Sequence, residues 1–266
     1  MKRIFSMAAL LALTTGCLAT LATAEEAAPA ATTPAPLTAT AGMDINSAYI
    51  WRGVTANNGL VFQPSMDIAK NGFDFNVWAN YDAADYRSTV EQGKFSEIDL
   101  TASYTFKLGS FDASVGAIQY TYPATFPKVG TKALPSTGEV FVGLSKDLGA
   151  GFTAGAKVYY DFEKVNDFFI APTLGYSYAL NDKTTLGLSG TVGYAGQKFA
   201  QYWGGGTDAG FFSYTLTASA KYMVTEAFGV AANINYTDSL NDKVLISGTG
   251  FADTKVFGGV SLTYAF

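Results

Sequence analysis

Residues 96–107, SEIDLTASYTFK, alternate strictly between apolar and polar side chains. The apolar positions are Ile98, Leu100, Ala102, Tyr104 and Phe106, and the polar positions between them are Glu97, Asp99, Thr101, Ser103 and Thr105. Because successive side chains of a β-strand point to opposite faces, this alternation predicts a strand with one apolar and one polar face. A strand of about ten residues with this pattern is typical of a membrane-spanning β-barrel.

The same alternation recurs along the chain. With the more apolar face taken as outward, it marks twelve segments, at 43–52, 60–69, 73–81, 96–107, 111–122, 139–146, 152–162, 168–180, 185–194, 212–224, 228–236 and 255–266. Short turns rich in Gly and Asn alternate with longer connections, as in barrels with short periplasmic turns and long extracellular loops. A soluble β-sandwich would need a charged solvent face, but the polar face here is mostly Ser, Thr, Gly and Asn. We therefore predict an all-β fold, a transmembrane antiparallel up-and-down β-barrel of twelve strands.

Residues 1–24 have the features of a secretory signal peptide. A basic start and an apolar stretch lead to the small-residue site Ala22-Thr23-Ala24, after which we expect cleavage. Residues 25–41, rich in Ala, Pro and Thr, predict a flexible periplasmic leader without packed structure. Residues 42–266 are then the barrel, and the expected location is the outer membrane of a Gram-negative cell.

The composition excludes several classes of function. His is absent and the one cysteine, Cys17, lies in the predicted signal peptide, so the mature chain lacks a His general base, a thiol nucleophile and a disulfide. After cleavage 15 basic residues face 22 acidic ones, a net charge of −7, which argues against nucleic-acid binding. The acids are scattered singly on different strands and no EF-hand spacing occurs. We expect no enzyme activity, no metal site and no cofactor.

The polar faces of the segments define candidate pore-lining residues. These are Asp44, Arg52, Asp67, Asp74, Trp78, Glu97, Asp99, Glu139, Lys157, Asp161, Lys221 and Lys255. Seven acids against four bases indicate a weak preference for cations. Alternatively, Arg52 and Lys157 pair with nearby acids as structural ion pairs that fill a narrow lumen. Trp78, between Asn76 and Asn80, could stack on a sugar ring or equally belong to a packed plug.

Aromatic residues near the segment ends predict the two girdles of a membrane barrel. The expected outer girdle is Tyr49, Trp51, Tyr81, Tyr160, Tyr194 and Tyr236. The expected inner girdle is Phe73, Tyr104, Phe106, Phe152, Tyr178, Tyr222, Phe228 and Phe266.

The last segment, VFGGVSLTYAF at 256–266, predicts a lipid-facing strand that closes the barrel against the first one. Val260, Leu262, Tyr264 and Phe266 alternate along it up to the final residue. This arrangement resembles the C-terminal signal by which the barrel assembly machinery recognises outer-membrane barrels.

Residues 47–82, SAYIWRGVTANNGLVFQPSMDIAKNGFDFNVWANYD, resemble the start of the TorF-type porin family. The positions that carry the resemblance are Tyr49, Arg52, Gly53, Pro64, Gly72, Trp78, Ala79 and Asn80. The chain departs from that family in its short first loop and in lacking a Gly-rich entry to the second strand, and its later segments agree only in architecture. The resemblance implies an outer-membrane pore.

We therefore expect a channel for passive diffusion of small hydrophilic solutes, with a weak cation preference. Its expected partners are outer-membrane lipid, the barrel assembly machinery and those solutes, and its oligomeric state is left open. The alternative is a non-conducting structural or adhesive barrel that acts through its extracellular loops. The longest connections, any of which could also fold into the lumen, are 82–95, 123–138, 195–211 and 237–254.

Overall fold

The computed structural model of the protein describes residues 36–87, 89–123, 134–248 and 250–266. Twelve strands close into one antiparallel barrel, and two short strands form a separate hairpin. In chain order the elements are β1 (Thr38–Asn46), β2 (Tyr49–Trp51), β3 (Val54–Asn57), β4 (Val61–Lys70), β5 (Phe73–Asp82), β6 (Lys94–Leu108), β7 (Phe111–Thr121), β8 (Thr137–Gly149), β9 (Phe152–Asp161), β10 (Asp167–Ala179), β11 (Thr184–Ala195), α1 (Gln197–Gly204), β12 (Gly210–Met223), β13 (Phe228–Ser239) and β14 (Val256–Ala265). Each barrel strand pairs with the next along the chain, and β1 pairs with both β4 and β14, which closes the sheet. The predicted twelve-stranded up-and-down barrel is confirmed.

The period-two pattern of each strand sorts its side chains between the outer surface and the lumen. Outward residues such as Val142, Leu188 and Leu216 are 56%, 58% and 54% exposed. Lumen-facing polar residues such as Thr217 and Asn235 are buried, and the Thr217 hydroxyl donates to Asn235 Oδ1 at 2.7 Å. The outer surface is therefore apolar, whereas the interior is lined by small polar groups.

The two ends of the barrel differ in the length of their connections. At one end, the turn end, residues 71–72, 109–110 and 150–151 each join two strands through only two residues. Asn71 and Gly72 both have positive φ, 53° and 84°, as the favoured two-residue hairpin turn requires. The opposite end, the loop end, carries the longer connections, including 47–60, 196–209 and 240–255.

The first predicted segment, 43–52, is wrong at both ends. β1 begins at Thr38, inside the predicted leader and before the expected barrel boundary at 42, and it ends at Asn46. Tyr49 and Trp51, expected in the outer girdle, are buried in the inserted hairpin at 1% and 8% exposure. The predicted end at residue 52 is wrong because apolar residues continue to alternate after the chain has left the barrel wall. The predicted signal peptide and most of the leader lie outside the described residues.

Aromatic rings still concentrate towards both ends of the outer surface. Exposed rings near the turn end include Phe73, Tyr104, Phe152, Tyr178 and Tyr222, and those near the loop end include Tyr160 and Tyr236. Among the residues that the structure describes, no helix is long and apolar enough to cross a membrane.

Candidate functional site

The connection between β1 and β4 folds into the barrel as a tight hairpin, β2–β3. Trp51 pairs with Val54, so Arg52 and Gly53 form a two-residue turn, with φ of 50° and 91°. Such a turn needs positive φ at both positions, which is easy for glycine and uncommon for arginine. The Ser213 hydroxyl of β12 donates to the Arg52 carbonyl at 2.8 Å, which holds the tip of the hairpin against the wall.

Arg52 at this tip forms a buried ion pair with Glu139 of β8. Its Nη1 and Nη2 donate to Glu139 Oε1 and Oε2 at 2.8 and 2.7 Å, and the two side chains are only 10% and 2% exposed. The Tyr120 hydroxyl donates to the same carboxylate at 2.9 Å. A bidentate pair of this kind fixes the relative position of the two side chains in addition to pairing their charges. Arg52 therefore forms the structural ion pair that its sequence offered as the alternative to a pore-lining role.

Aromatic rings surround the Arg52 guanidinium. Its central carbon lies 4.1 Å from the ring centre of Tyr159, 4.4 Å from Trp51, 4.8 Å from Phe169 and 5.5 Å from Phe199. A desolvated cation within about 6 Å of ring faces is held by cation–π attraction in addition to its ion pair. The Arg52 side chain is therefore held by a carboxylate and by aromatic rings, and its backbone is held in the turn.

The hairpin is part of a larger apolar plug at the loop end of the lumen. We use the term plug for the hairpin β2–β3, helix α1 and the connection 240–255. Its fully buried side chains include Tyr49, Phe199, Val244 and Leu245. They pack with wall residues such as Trp78, Tyr120 and Phe169. Side chains of the plug are consequently packed inside the lumen near the loop end.

Helix α1 is held in the plug by the wall strand β10. Asp167 Oδ2 accepts the backbone N–H groups of Lys198 and Phe199 at 2.7 and 3.1 Å. These are N–H groups of the first turn, which have no partner within a helix, and an acidic group there also complements the helix dipole. Asp167 thereby directs Phe199 into the plug.

A network of side-chain amides joins the end of the hairpin to the wall. Asn57 donates to Asp82 Oδ1 at 2.6 Å, and Asn80 donates to the same oxygen at 3.0 Å. Gln63 in turn donates to Asn80 at 2.9 Å. Because these groups are buried, each bond satisfies a polar atom that would otherwise cost free energy.

Ten of the twelve candidate pore-lining residues belong to barrel strands. They occupy the positions between the residues that face the lipid. They are Asp44, Asp67, Asp74, Trp78, Glu97, Asp99, Glu139, Lys157, Asp161 and Lys221. Of these, Asp67, Asp74 and Lys221 lie towards the turn end, where the plug does not reach. Trp78 is buried and its ring lies 5.4 Å from that of Tyr49, which places it in the packed plug.

The other two candidates lie outside the barrel strands. Arg52 comes from the hairpin, and Lys255 lies at the loop end, immediately before β14. The Lys255 Nζ pairs with Asp238 Oδ2 at 2.8 Å, and its side chain is 44% exposed. Lys255 therefore belongs to the exposed rim, and the expectation that it lines the lumen is corrected.

Asp161, although it faces inward, has a structural role at the loop end. Its Oδ1 accepts three backbone N–H groups, from residues 163–165, and its Oδ2 accepts the Thr137 hydroxyl at 2.7 Å. Sequence reasoning missed most of the groups around Arg52, namely Tyr120, Tyr159, Phe169, Phe199 and Ser213. The Arg-Gly pair between two short apolar stretches was the available signal of a turn there.

A family model described as "Bacterial protein of unknown function (Gcw_chp)" matches residues 30–249. The chain belongs to this family. No relative of curated function matches it by sequence. This match does not show that the chain belongs to the TorF-type family.

Solved structures share the fold at low sequence identity. The KdgM porin is 9% identical with a TM-score of 0.50, over 86% of this chain and 99% of that one. The NanC porin is 11% identical with a TM-score of 0.50, over 86% and 98%. The COG4313 outer membrane channel from Pseudomonas putida F1 is 8% identical with a TM-score of 0.50, over 91% and 100%. This Gcw_chp chain therefore has the barrel fold of outer-membrane channels.

Proposed function

We propose that this protein is a porin-like channel of the bacterial outer membrane that passes small hydrophilic solutes by diffusion. The observation that carries the proposal is the closed barrel with an apolar outer surface and a lumen of small polar groups. Such a surface is stable in a bilayer, where every backbone group must be hydrogen-bonded within the protein. The turn end faces the periplasm and the loop end faces outward, as in barrels of this class. We also propose that the protein is exported by a cleaved signal peptide. We further propose that it is related to the TorF-type porin family.

The plug makes the loop end the gate of the proposed channel. Solutes entering from the periplasmic side meet Asp67, Asp74 and Lys221 and then reach the packed hairpin. Passage therefore requires the hairpin to move, and its tip must then break the Arg52–Glu139 pair and the hydrogen bond from Ser213 to the Arg52 carbonyl.

The charge of the lumen favours neutral or cationic solutes. Acids outnumber bases among the inward residues, and rings of carboxylates favour cations. One structural neighbour is a KdgM porin in complex with disordered oligogalacturonate, an acidic sugar chain. The acidic lumen of the present protein would repel such a ligand, so we assign it a different class of solute.

The packing of the plug favours a second candidate, a non-conducting barrel that acts through its loops. Phe199, Val244 and Leu245 are fully buried, as in a stable core rather than a mobile gate. In this case the exposed parts of the loop end would contact partners directly.

Planar-bilayer conductance and liposome swelling with graded sugars distinguish the two candidates. The wild type and the double variant R52A/E139Q, which removes both charges of the tip contact, should be compared after refolding. We expect measurable conductance that increases in the double variant. Absence of conductance and swelling in both proteins, with folding verified, would rule out the channel and leave the loop-mediated role.

A further inference from the structure

One row of paired strand residues inside the lumen carries opposite charges at its two ends. Lys221 of β12 lies opposite Ala231 of β13. Ala231 lies opposite Ser261 of β14, and Ser261 lies opposite Asp44 of β1. All four alternate with lipid-facing neighbours, so their side chains face the lumen. The row therefore places an ammonium and a carboxylate on the same part of the inner surface.

The floor between these two charges is made of small residues. Ala231 and Ser261 lie on the row itself, and Gly229 and Thr263 form the next inward pair towards the turn end. A Cβ built on Gly229 would lie 3.5 Å from Lys221 Cε. The lysine side chain thus passes over β13 at a position where that strand has no side chain, and it extends in the direction of Asp44.

Lys221 and Asp44 are nevertheless too far apart to pair directly. Three strand spacings separate their backbones, roughly 14 Å in all. None of the ion pairs between described residues includes either side chain. Asp44 forms a hydrogen bond with Ser261, a neutral group that leaves its charge uncompensated. Both charged residues are only partly buried. What remains is an open gap between an ammonium and a carboxylate, over a floor without bulky side chains.

We propose that the row from Lys221 to Asp44 is a binding site for short zwitterions of the α-amino acid type. The carboxylate of such a solute pairs with Lys221 and its ammonium pairs with Asp44, while the small residues of the floor leave room for the rest of the molecule. A zwitterion gains a Coulomb contact at both ends, whereas a single ion gains one and a neutral solute gains none.

The expected binding is weak, which suits a channel. Ion pairs that water can reach contribute little each, and a solute that is held weakly can leave again. The inference names the solute class of the proposed channel. It rests on the proposed function for transport, but not for binding.

The binding test compares alanine with lactamide, an uncharged isomer of alanine, by saturation-transfer NMR on refolded protein. The detergent is octyl glucoside, because zwitterionic headgroups would compete for the site. K221M and D44N each remove one end of the row. D74N is the control, since it removes one lumen acid as D44N does but lies off the row, on β5 opposite Ala69. K221D/D44K exchanges the two charges, so that a zwitterion can bind in the opposite direction.

We expect the alanine signal of wild type and D74N to exceed the lactamide signal by about threefold, a modest ratio because water-exposed ion pairs are weak. The excess should be lost in K221M and D44N and should return in K221D/D44K, with the folding of every variant verified by heat-modifiability on gels. Equal signals for the two solutes in wild type, an excess that persists in K221M or D44N, or an equal loss in D74N and D44N would each overturn the proposal.

Liposome swelling with the same two solutes separates this site from the channel itself. If alanine binds as expected but neither solute swells the liposomes, the channel proposal fails and the binding site stands. If both solutes swell the liposomes but alanine gives no excess signal over lactamide, the channel stands and the binding site is refuted.

Discussion

Arg52 and Glu139 are joined by two hydrogen bonds of 2.8 and 2.7 Å across the inside of the barrel, although 87 residues separate them in the chain. The arginine sits at the tip of an inserted hairpin and the glutamate on the opposite part of the wall. This pair fixes how far the hairpin reaches and therefore how much of the lumen is filled.

Removing Arg52 alone should destabilise the protein more than removing both partners of the ion pair. R52A leaves Glu139 buried without a counter-charge, a change that typically costs about 3–5 kcal/mol. R52A/E139Q removes that orphan charge, so its denaturation midpoint should lie between those of R52A and wild type. R52K serves as the control that keeps the charge but loses the bidentate geometry. Equal midpoints for R52A and the double variant would show that the ion pair does not carry the effect.

A methyl group at Gly53 should displace the hairpin tip. A Cβ there would lie 2.5 Å from the Ser213 Cβ, and the φ of 91° already disfavours any other residue. G53A should therefore lower stability by roughly 1–3 kcal/mol and increase conductance. G109A is the matched control, because Gly109 also has positive φ, 62°, but open space around its Cβ position. If G109A altered conductance as much as G53A, backbone strain in general would explain the result.

Neutralising lumen acids should reduce cation selectivity. The double variant D74N/D99N should lower the cation-to-anion permeability ratio, measured as the reversal potential in a salt gradient. Asp74 lies on the unplugged side, so D74N alone should account for most of the change while the hairpin is in place. An unchanged reversal potential in D74N would show that Asp74 does not face the conducting path.

Deleting Phe266 should impair assembly but not conduction. Its backbone N–H donates to the Ala39 carbonyl at 2.9 Å at the closing seam, and its ring is 75% exposed. We expect less inserted protein, measured by heat-modifiability on gels, with unchanged single-channel conductance of whatever inserts. F73A, which removes another exposed ring near the turn end, is the control. A similar loss of insertion in F73A would assign the effect to the girdle and not to the terminal residue.

An added charge in the middle of the outer surface should destabilise the barrel in the membrane. L188R places arginine near the midplane of β11, where such a change costs about 2–4 kcal/mol. L180R places it next to the turn end, where the cost falls to about 0–1 kcal/mol. The two leucines are similarly exposed, 58% and 55%, so depth is the main difference between them. Refolding into lipid vesicles measures both, and equal costs would contradict the assigned membrane position.

Local patterns were sufficient to predict the barrel wall. Eleven of the twelve predicted segments coincide with strands to within a few residues, because alternation and tight turns such as Asn71-Gly72 are properties of neighbouring residues. The inward position of Glu97, Asp99 and Glu139 follows from the same alternation. The groups that each of them meets do not follow from it.

The sequence alone determined the strand number, the closed sheet and the apolar outer face, since each rests on the period-two pattern of single strands. Only the tertiary structure decided that Tyr49 and Trp51 enter the lumen instead of facing lipid. A bilayer and a packed protein interior are both apolar, so hydrophobic alternation cannot distinguish them. Likewise, the partnership of Arg52 with Glu139 joins distant parts of the chain, and it becomes visible only when the closed barrel brings the two side chains together.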